Sequence, residues 1–126
     1  MAEANVYVYN VYLQPDKKKR ILKDLQTIVQ EKWITDHKGH HLIIGDFNIG
    51  LDSLQMESTL PDIHQLGLRV HSQEDKATFQ RGEASTKLDY CISTLADITD
   101  TTQVLDNYHL SDHKPILVRL PVTKLR

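Results

Sequence analysis

The first pattern along the chain is an alternation of β-branched and aromatic residues over positions 5–13, NVYVYNVYL. Residues of these types are enriched in strands, so the segment predicts a β-strand that ends before Pro15. Both faces of the strand are largely apolar, with Val6, Val8 and Tyr12 on one and Tyr7, Tyr9, Val11 and Leu13 on the other. We therefore expect the strand to be covered on both sides.

A helical spacing of apolar residues follows, from about Lys17 to Trp33. The apolar positions recur every three or four residues and form one stripe, which consists of Ile21, Leu22, Leu25, Ile28, Val29 and Trp33. Asp16 is the predicted N-cap of this helix. The charges of Lys17–Arg20 lie at the helix start, where the helix dipole disfavours cations. They indicate either a solvated face or a contact with phosphate.

Shorter patterns predict the remaining elements. The other expected strands cover residues 42–45, 78–80, 87–93, 101–105 and 115–120. An irregular segment over 50–60, a short helix opening at Pro61 and a polar turn over 80–86 connect them. This order of elements predicts a single α/β or α+β domain over residues 1–126.

Composition and charge narrow the class of protein. The chain is 40% hydrophobic and 25% charged with a net charge of −2, which argues against a protein that coats polyanions generically. Cys91 is the only cysteine, so a reducing compartment is expected. The N-terminal sequence has no signal-peptide pattern, and the apolar stretches are too short to span a bilayer. We expect a soluble intracellular protein, nuclear or cytoplasmic.

Three short motifs place polar side chains at predicted strand ends, namely Asp46-Phe47-Asn48, Leu88-Asp89-Tyr90 and Ser111-Asp112-His113-Lys114-Pro115. Carboxylate oxygens are the ligands that Mg²⁺ prefers, and a histidine oriented by a carboxylate can act as a base. Asp89 and His113 are candidates for such an orienting pair. Asp46 is a candidate to orient a water, and Asn48 to donate to a phosphoryl oxygen. Together the motifs predict a cleft for phosphodiester hydrolysis.

The segments LIIGDFN, KLDY and LSDHKPI, in this order, resemble the C-terminal half of the endonuclease/exonuclease/phosphatase superfamily, which includes DNase I, exonuclease III and the apurinic endonucleases. The phrase NYHLSDHKPI is most similar to the endonuclease domains of LINE-type retrotransposons. The opening NVYLQP resembles a family strand that carries an active-site tyrosine. The resemblance implies half of a DNase I-like four-layer α/β/β/α sandwich, with a long helix packed on one mixed β-sheet.

The resemblance also implies roles for individual residues. Asp46 would align the nucleophilic water and help to hold the metal, and Asn48 would contact the scissile phosphate. Asp112 would be a metal ligand, and His113 would be the catalytic histidine, supported by Asp89. Two further positions carry over, Tyr12 beside the phosphate and, more loosely, Thr78 in a nearby strand. The implied reaction is Mg²⁺- or Mn²⁺-dependent nicking of DNA that leaves a 3′-hydroxyl.

The family pattern has an earlier half that this sequence does not match. That half carries an asparagine on its first strand and a metal-binding glutamate, and Glu3 lacks the matching context. A half-domain would expose an apolar sheet face, so we expect a partner, either a second copy in a C2 dimer or a complementing N-terminal half. Two other functions stay open, an RNA-directed nuclease or phosphatase of the same superfamily and a catalytically inactive binding or assembly module.

The remaining histidines and the cysteine have simpler interpretations. His37, His40 and His41 lie in a polar segment before a strand and are expected at the surface, as are His64 and His71. His109, four residues before His113, is a candidate for a secondary role in the site. Cys91 is expected to be a small buried hydrophobic residue.

Overall fold

The computed structural model describes residues 5–49, 53–71, 77–95, 102–105 and 111–119. In chain order its elements are β1 Val6–Tyr12, α1 Lys18–Thr35, β2 His40–Asp46, α2 Ser53–Thr59, α3 Pro61–His64, β3 Arg69–His71, β4 Phe79–Arg81, β5 Ala84–Thr86, β6 Asp89–Ser93, β7 Thr102–Val104 and β8 Ile116–Val118. The main sheet has the order β1-β2-β6-β3, and β4-β5 and β7-β8 form two-stranded sheets. The main sheet is mixed, because β1 and β2 are parallel whereas β6 is antiparallel to both of its neighbours.

The core lies between α1 and one face of the main sheet. Leu25 and Val29 of α1 are buried in one cluster with Ile43 of β2 and Ile92 of β6. Burying each of these side chains contributes about 1.5–3 kcal/mol. The predicted stripe of α1 is therefore confirmed, except that Ile28 is 47% exposed. Among the described residues, no helix is both long and apolar enough to cross a membrane.

The opposite face of the main sheet is covered unevenly. Leu42, Cys91 and Leu95 are buried there, and Val118 of β8 packs against them. Cys91 is a buried apolar residue as predicted, and burial raises the pKa of its thiol to about 12. On β1, Val8 and Tyr12 are each 60% exposed. The prediction that β1 is covered on both sides is therefore wrong for the described residues, because β1 is an edge strand whereas β8 packs at β6.

Three local predictions differ in the structure. The N-cap of α1 is Lys17 rather than Asp16, because the first helical N–H, that of Ile21, donates to the Lys17 carbonyl. The segment 53–59 is helical rather than irregular, because Met56 and Leu60, four residues apart, are both buried in the core. The turn predicted over 80–86 belongs to the β4-β5 hairpin.

Two histidines expected at the surface are buried. His41 has no exposed surface, stacks on Tyr7 and Tyr9, and lies 2.8 Å from the Tyr9 hydroxyl through Nδ1. His71 is 6% exposed. Burial lowers the pKa of both imidazoles, so both are kept neutral in the fold. The prediction that both histidines lie at the surface is wrong, because each lies within a strand and the sheet pairing decides which of its side chains are buried.

We expect the protein to lose stability as the pH falls below about 6.5, the ordinary pKa of histidine. The stabilisation from neutral, buried His41 and His71 is complete above that value, and it is lost as the pH drops towards the lowered pKa of the folded state, because the unfolded chain takes up protons first. The slope approaches about 1.4 kcal/mol per pH unit for each proton. Urea unfolding over a series of pH values measures it.

The matched variant for this experiment is His41→Phe. It removes one titrating ring and retains an aromatic surface against Tyr7 and Tyr9. The free energy of unfolding of this variant should fall less steeply with acidification than that of the wild type. Equal slopes would contradict a contribution from His41.

Candidate active site

Two aspartates meet where β2 ends and β6 begins. Asp46 is the last residue of β2, Asp89 is the first residue of β6, and the antiparallel register pairs them directly. Directly paired residues project from the same face of a sheet. Both side chains are only partly exposed, at 17% for Asp46 and 14% for Asp89. The two carboxylates are therefore neighbours at one sheet edge, although 43 positions separate them in sequence.

His113 lies against both carboxylates. Its Nδ1 is 2.9 Å from Oδ2 of Asp89, and its Nε2 is 3.5 Å from Oδ2 of Asp46. An ionised carboxylate only accepts hydrogen bonds, so Nδ1–H is the donor to Asp89. The distance to Asp46 is long for a direct hydrogen bond. Asp89 thus fixes the orientation of the ring and leaves Nε2 facing Asp46 and the solvent.

The environment of Asp89 raises the pKa of its carboxyl and so disfavours the charged form. Burial is the largest cause that raises the pKa of this carboxyl, and the nearby Asp46 raises it further. The hydrogen bonds from His113 and Thr78 lower the pKa but do not cancel the effect of burial. A carboxylate in this state gains more than a solvated one from a positive charge on the adjacent imidazole.

Asp46 is held by the turn that follows it. Its Oδ1 accepts a 2.9 Å hydrogen bond from the backbone N–H of Asn48, which has a positive φ of 51°. Asn48 Nδ2 donates to the Leu13 carbonyl at 2.7 Å, and Lys18 Nζ donates to the Asn48 carbonyl at 2.7 Å. Phe47 between them is fully buried and packs edge-on against Tyr90. The turn fixes one oxygen of Asp46 and leaves the other towards His113.

Thr78 supports the site from behind Asp89. Its side chain is 1% exposed, and its Oγ1 accepts hydrogen bonds of 2.9 Å from the backbone N–H groups of both Leu88 and Asp89. Its carbonyl accepts from the N–H of Lys114 at 2.6 Å, which ties the residue after His113 to the residue before β4. The family resemblance implied a nearby strand for Thr78 but not this role, because a single threonine beside a short strand gives no signal for it.

Tyr12 lies beside Asp46 on the same face of the main sheet. The parallel register of β1 and β2 pairs Tyr12 with Asp46, and the Tyr12 side chain is 60% exposed. The Phe79 ring packs against the ring of His113, with the two centroids 5.0 Å apart. An exposed aromatic ring beside the carboxylates is accessible to a bound substrate.

Asp112 stands apart from this cluster. Its Oδ2 accepts hydrogen bonds from Arg81 Nε at 3.0 Å and from Nη2 at 2.8 Å. This pair joins β4 to the residue before His113, and no local sequence pattern predicted it because 31 positions separate the partners. The role of Asp112 as a metal ligand stays a prediction. Glu3 and His109 lie outside the described residues.

The family model described as endonuclease-reverse transcriptase matches residues 6–117. The chain belongs to this family. It is therefore a member of the endonuclease/exonuclease/phosphatase superfamily, as the three motifs predicted. No curated protein matches the chain.

Solved structures agree with this membership at the level of the fold. An endonuclease/exonuclease/phosphatase family protein from Leptotrichia buccalis is 24% identical with a TM-score of 0.52, over 80% of this chain and 41% of that one. Another from Bacteroides thetaiotaomicron is 15% identical with a TM-score of 0.51, over 90% of this chain and 48% of that one. The chain thus spans less than half of these structures. The predicted fold class, a mixed sheet of the DNase I-like fold with a long packed helix, is confirmed.

Superfamily members generally depend on a divalent metal ion, and the site of this family member has a group that can hold one. Asp46, Asp89 and His113 each offer one ligand atom, and these atoms all lie within 4.8 Å of one another. Carboxylate oxygens suit hard divalent ions, whereas an imidazole that is hydrogen-bonded to one carboxylate and faces another is better placed to move a proton. The donor set therefore fits a metal ion held mainly by carboxylates.

Proposed function

We propose that this chain is part of a metal-dependent phosphodiesterase that nicks DNA by in-line attack of water. The observation that carries the proposal is the contact of His113 with Asp89 at 2.9 Å and with Asp46 at 3.5 Å. A histidine between two carboxylates, one orienting it and one facing its free nitrogen, is suited to phosphodiester hydrolysis. The similarity to LINE-type endonucleases favours DNA over RNA as the substrate.

Each residue of the site has a proposed task. Asp89 holds the His113 ring, so that Nε2 can exchange a proton with the attacking water or a phosphoryl oxygen. Asp46 orients the water through Oδ2, because its Oδ1 already accepts from Asn48. The amide of Asn48 has two N–H hydrogens, and one donates to Leu13, so the second is the proposed donor to the phosphate. Tyr12 is proposed to lie against the same phosphate.

Mg²⁺ or Mn²⁺ is the proposed cofactor, held by Asp46 and Asp112. When bound, such an ion would neutralise charge on the phosphoryl and leaving-group oxygens. Oδ2 of Asp112 accepts from Arg81 at the surface, so coordination through that oxygen requires the pair to open. An exposed pair of this kind is worth about 0–1 kcal/mol, so the exchange costs little.

We also propose that residues 1–126 correspond to the C-terminal half of the family domain and act with a complement. The exposed Val8 on β1 gives an apolar surface for that complement, and the chain spans only 41% and 48% of the two matched structures. The complement is a second copy or an N-terminal half.

Nicking of supercoiled plasmid DNA tests the proposed function. With Mg²⁺ the protein should convert supercoiled plasmid to the open circular form, and EDTA should abolish the conversion because the site then loses its metal ion. A specific rate that rises with protein concentration would identify a second copy as the complement. The Asp46→Asn variant, purified in parallel, controls for contaminating nucleases.

Absence of nicking above the Asp46→Asn background, at every protein concentration, would count against catalysis by this chain. The alternative is an inactive binding or assembly module, and it is favoured if the Arg81–Asp112 pair keeps Oδ2 of Asp112 from a metal ion. Calorimetric titration with Mg²⁺ should then show no binding. Nicking assays on matched DNA and RNA strands separate DNA cleavage from an RNA-directed activity.

A further inference from the structure

Four consecutive cations form a basic rim at the start of α1. The basic rim consists of Lys17, Lys18, Lys19 and Arg20, and the preceding segment has one carboxylate, that of Asp16. Together with Pro15 and Asp16 these residues line an open surface groove with a volume of about 580 Å³. The chain as a whole has a net charge of −2, so this is a local concentration of positive charge.

The basic rim lies at the N-terminus of α1, where positive charges destabilise the helix. The first turn of the helix has no acidic residue, and the N-cap Lys17 makes no side-chain hydrogen bond to the free N–H groups. Cations near a helix N-terminus are repelled by the helix dipole. Helix stability therefore does not account for four cations at this place, whereas binding of an anion at the same end would be favoured by both the side chains and the dipole.

The fold joins the basic rim to the catalytic edge. β1 and β2 are parallel, so Tyr12 and Asp46 end at the same edge of the sheet, and α1 starts only six residues after Tyr12. The contact is direct, because Lys18 Nζ donates to the carbonyl of Asn48 at 2.7 Å. Lys17, Lys19 and Arg20 are exposed and adjoin Lys18 along the chain.

We propose that the basic rim binds the phosphodiester backbone of DNA beside the position that is cut. This inference rests on the proposed function and extends it by assigning the surface that holds the flanking phosphates. Contacts of this kind position a duplex without reading its bases. Lys18 connects the two regions, since the same side chain belongs to the basic rim and bonds the turn after Asp46.

Fluorescence anisotropy of a labelled DNA duplex, measured in EDTA so that no cleavage occurs, tests the proposal. The rim variant carries Lys17→Gln, Lys19→Gln and Arg20→Gln and keeps Lys18 for its bond to Asn48. Its dissociation constant at low salt should rise about tenfold or more, and the slope of log affinity against log salt should fall by about 3, near 0.9 for each lost phosphate contact.

The matched control removes the same charge elsewhere, with Lys23→Gln, Lys32→Gln and Lys38→Gln, three exposed positions on and after α1. Its affinity should stay within about twofold of the wild type. A second variant, Lys17→Arg with Lys19→Arg and Arg20→Lys, retains the charge and should retain the affinity. The rim variant should melt at the same temperature as the wild type or higher, since it removes cations from the helix start.

Equal loss of affinity in the rim variant and the control would overturn the proposal, because it would mark a general effect of net charge. Unchanged affinity in the rim variant would overturn it as well. The result is separable from the proposed catalysis. Loss of DNA affinity in the rim variant but not in the control supports the basic rim, even if the wild-type protein shows no nicking. Nicking by the wild-type protein, together with unchanged DNA affinity in the rim variant, supports the catalysis but not the basic rim.

Discussion

Replacing His113 with alanine is expected to lower the rate of plasmid nicking by about 10²–10⁴-fold, the usual contribution of a positioned acid–base group. The His113 ring contacts both Asp46 and Asp89, and the three side chains form one cluster. Without it, the imidazole nitrogen that exchanges the proton is lost, and two largely buried carboxylates face each other without the ring between them. Single-turnover nicking at saturating Mg²⁺ measures the effect.

Asp89→Asn is the companion variant, because it retains the shape of the side chain and removes its charge. It should also lower the rate by about 10²–10⁴-fold, since an amide does not stabilise a positively charged imidazole. His64→Ala is the matched control, because His64 lies on α3, whose Ile63 belongs to the core on the opposite face of the sheet. A His113→Ala rate within a few-fold of the His64→Ala rate would contradict the proposed role of His113.

Gly45→Ala is expected to destabilise the protein by about 3 kcal/mol or more, a large loss for a chain of this size. A Cβ at this position would lie 1.9 Å from the Val11 carbonyl oxygen, and the φ of Gly45 is +152°. The obstructing atom belongs to the backbone of β1, which pairs with β2 at this residue, so relief requires the two strands to separate. Urea unfolding measures the loss, and nicking should fall with it because Tyr12 and Asp46 are the next pair along.

Gly82→Ala provides the comparison, because Gly82 also has a positive φ, +61°, but no atom lies within 4 Å of a Cβ built on it. This variant should lose only about 1–2 kcal/mol, the cost of a left-handed backbone for a residue with a Cβ. A Gly45→Ala loss no larger than that of Gly82→Ala would show that β1 and β2 can shift apart at little cost.

Local sequence patterns predicted the secondary-structure elements around the site, because these elements depend on short stretches of sequence. The strand over residues 6–12 and the long helix follow from alternation and from the three- and four-residue spacing of apolar positions. The motifs around Asp46, Asp89 and His113 pointed to phosphodiester chemistry because each sets a polar group at the end of an apolar run. Their resemblance to one superfamily is what joined three separate stretches into one expected site.

Other features depend on partners far along the chain, which no local pattern reports. His41 is buried because its ring stacks on Tyr7 and Tyr9 of the neighbouring strand. The segment 53–59 is helical because Met56 packs in the core. The hydrogen bond between Arg81 and Asp112 joins residues 31 positions apart. The motif around Asp112 suggested a metal ligand and gave no sign of this arginine partner.

By itself the sequence determined the family, the main strands, the long helix and the residue types of the site, since propensity, periodicity and motif chemistry all act over a few neighbouring residues. Only the tertiary structure decided which side chains meet. The β2–β6 register brought Asp46 opposite Asp89, the Thr78–Lys114 hydrogen bond fixed the segment carrying His113, and Lys18 joined the basic rim to the turn after Asp46. Register and packing are collective properties of the whole sheet, so the spacing of residues along the chain does not contain them.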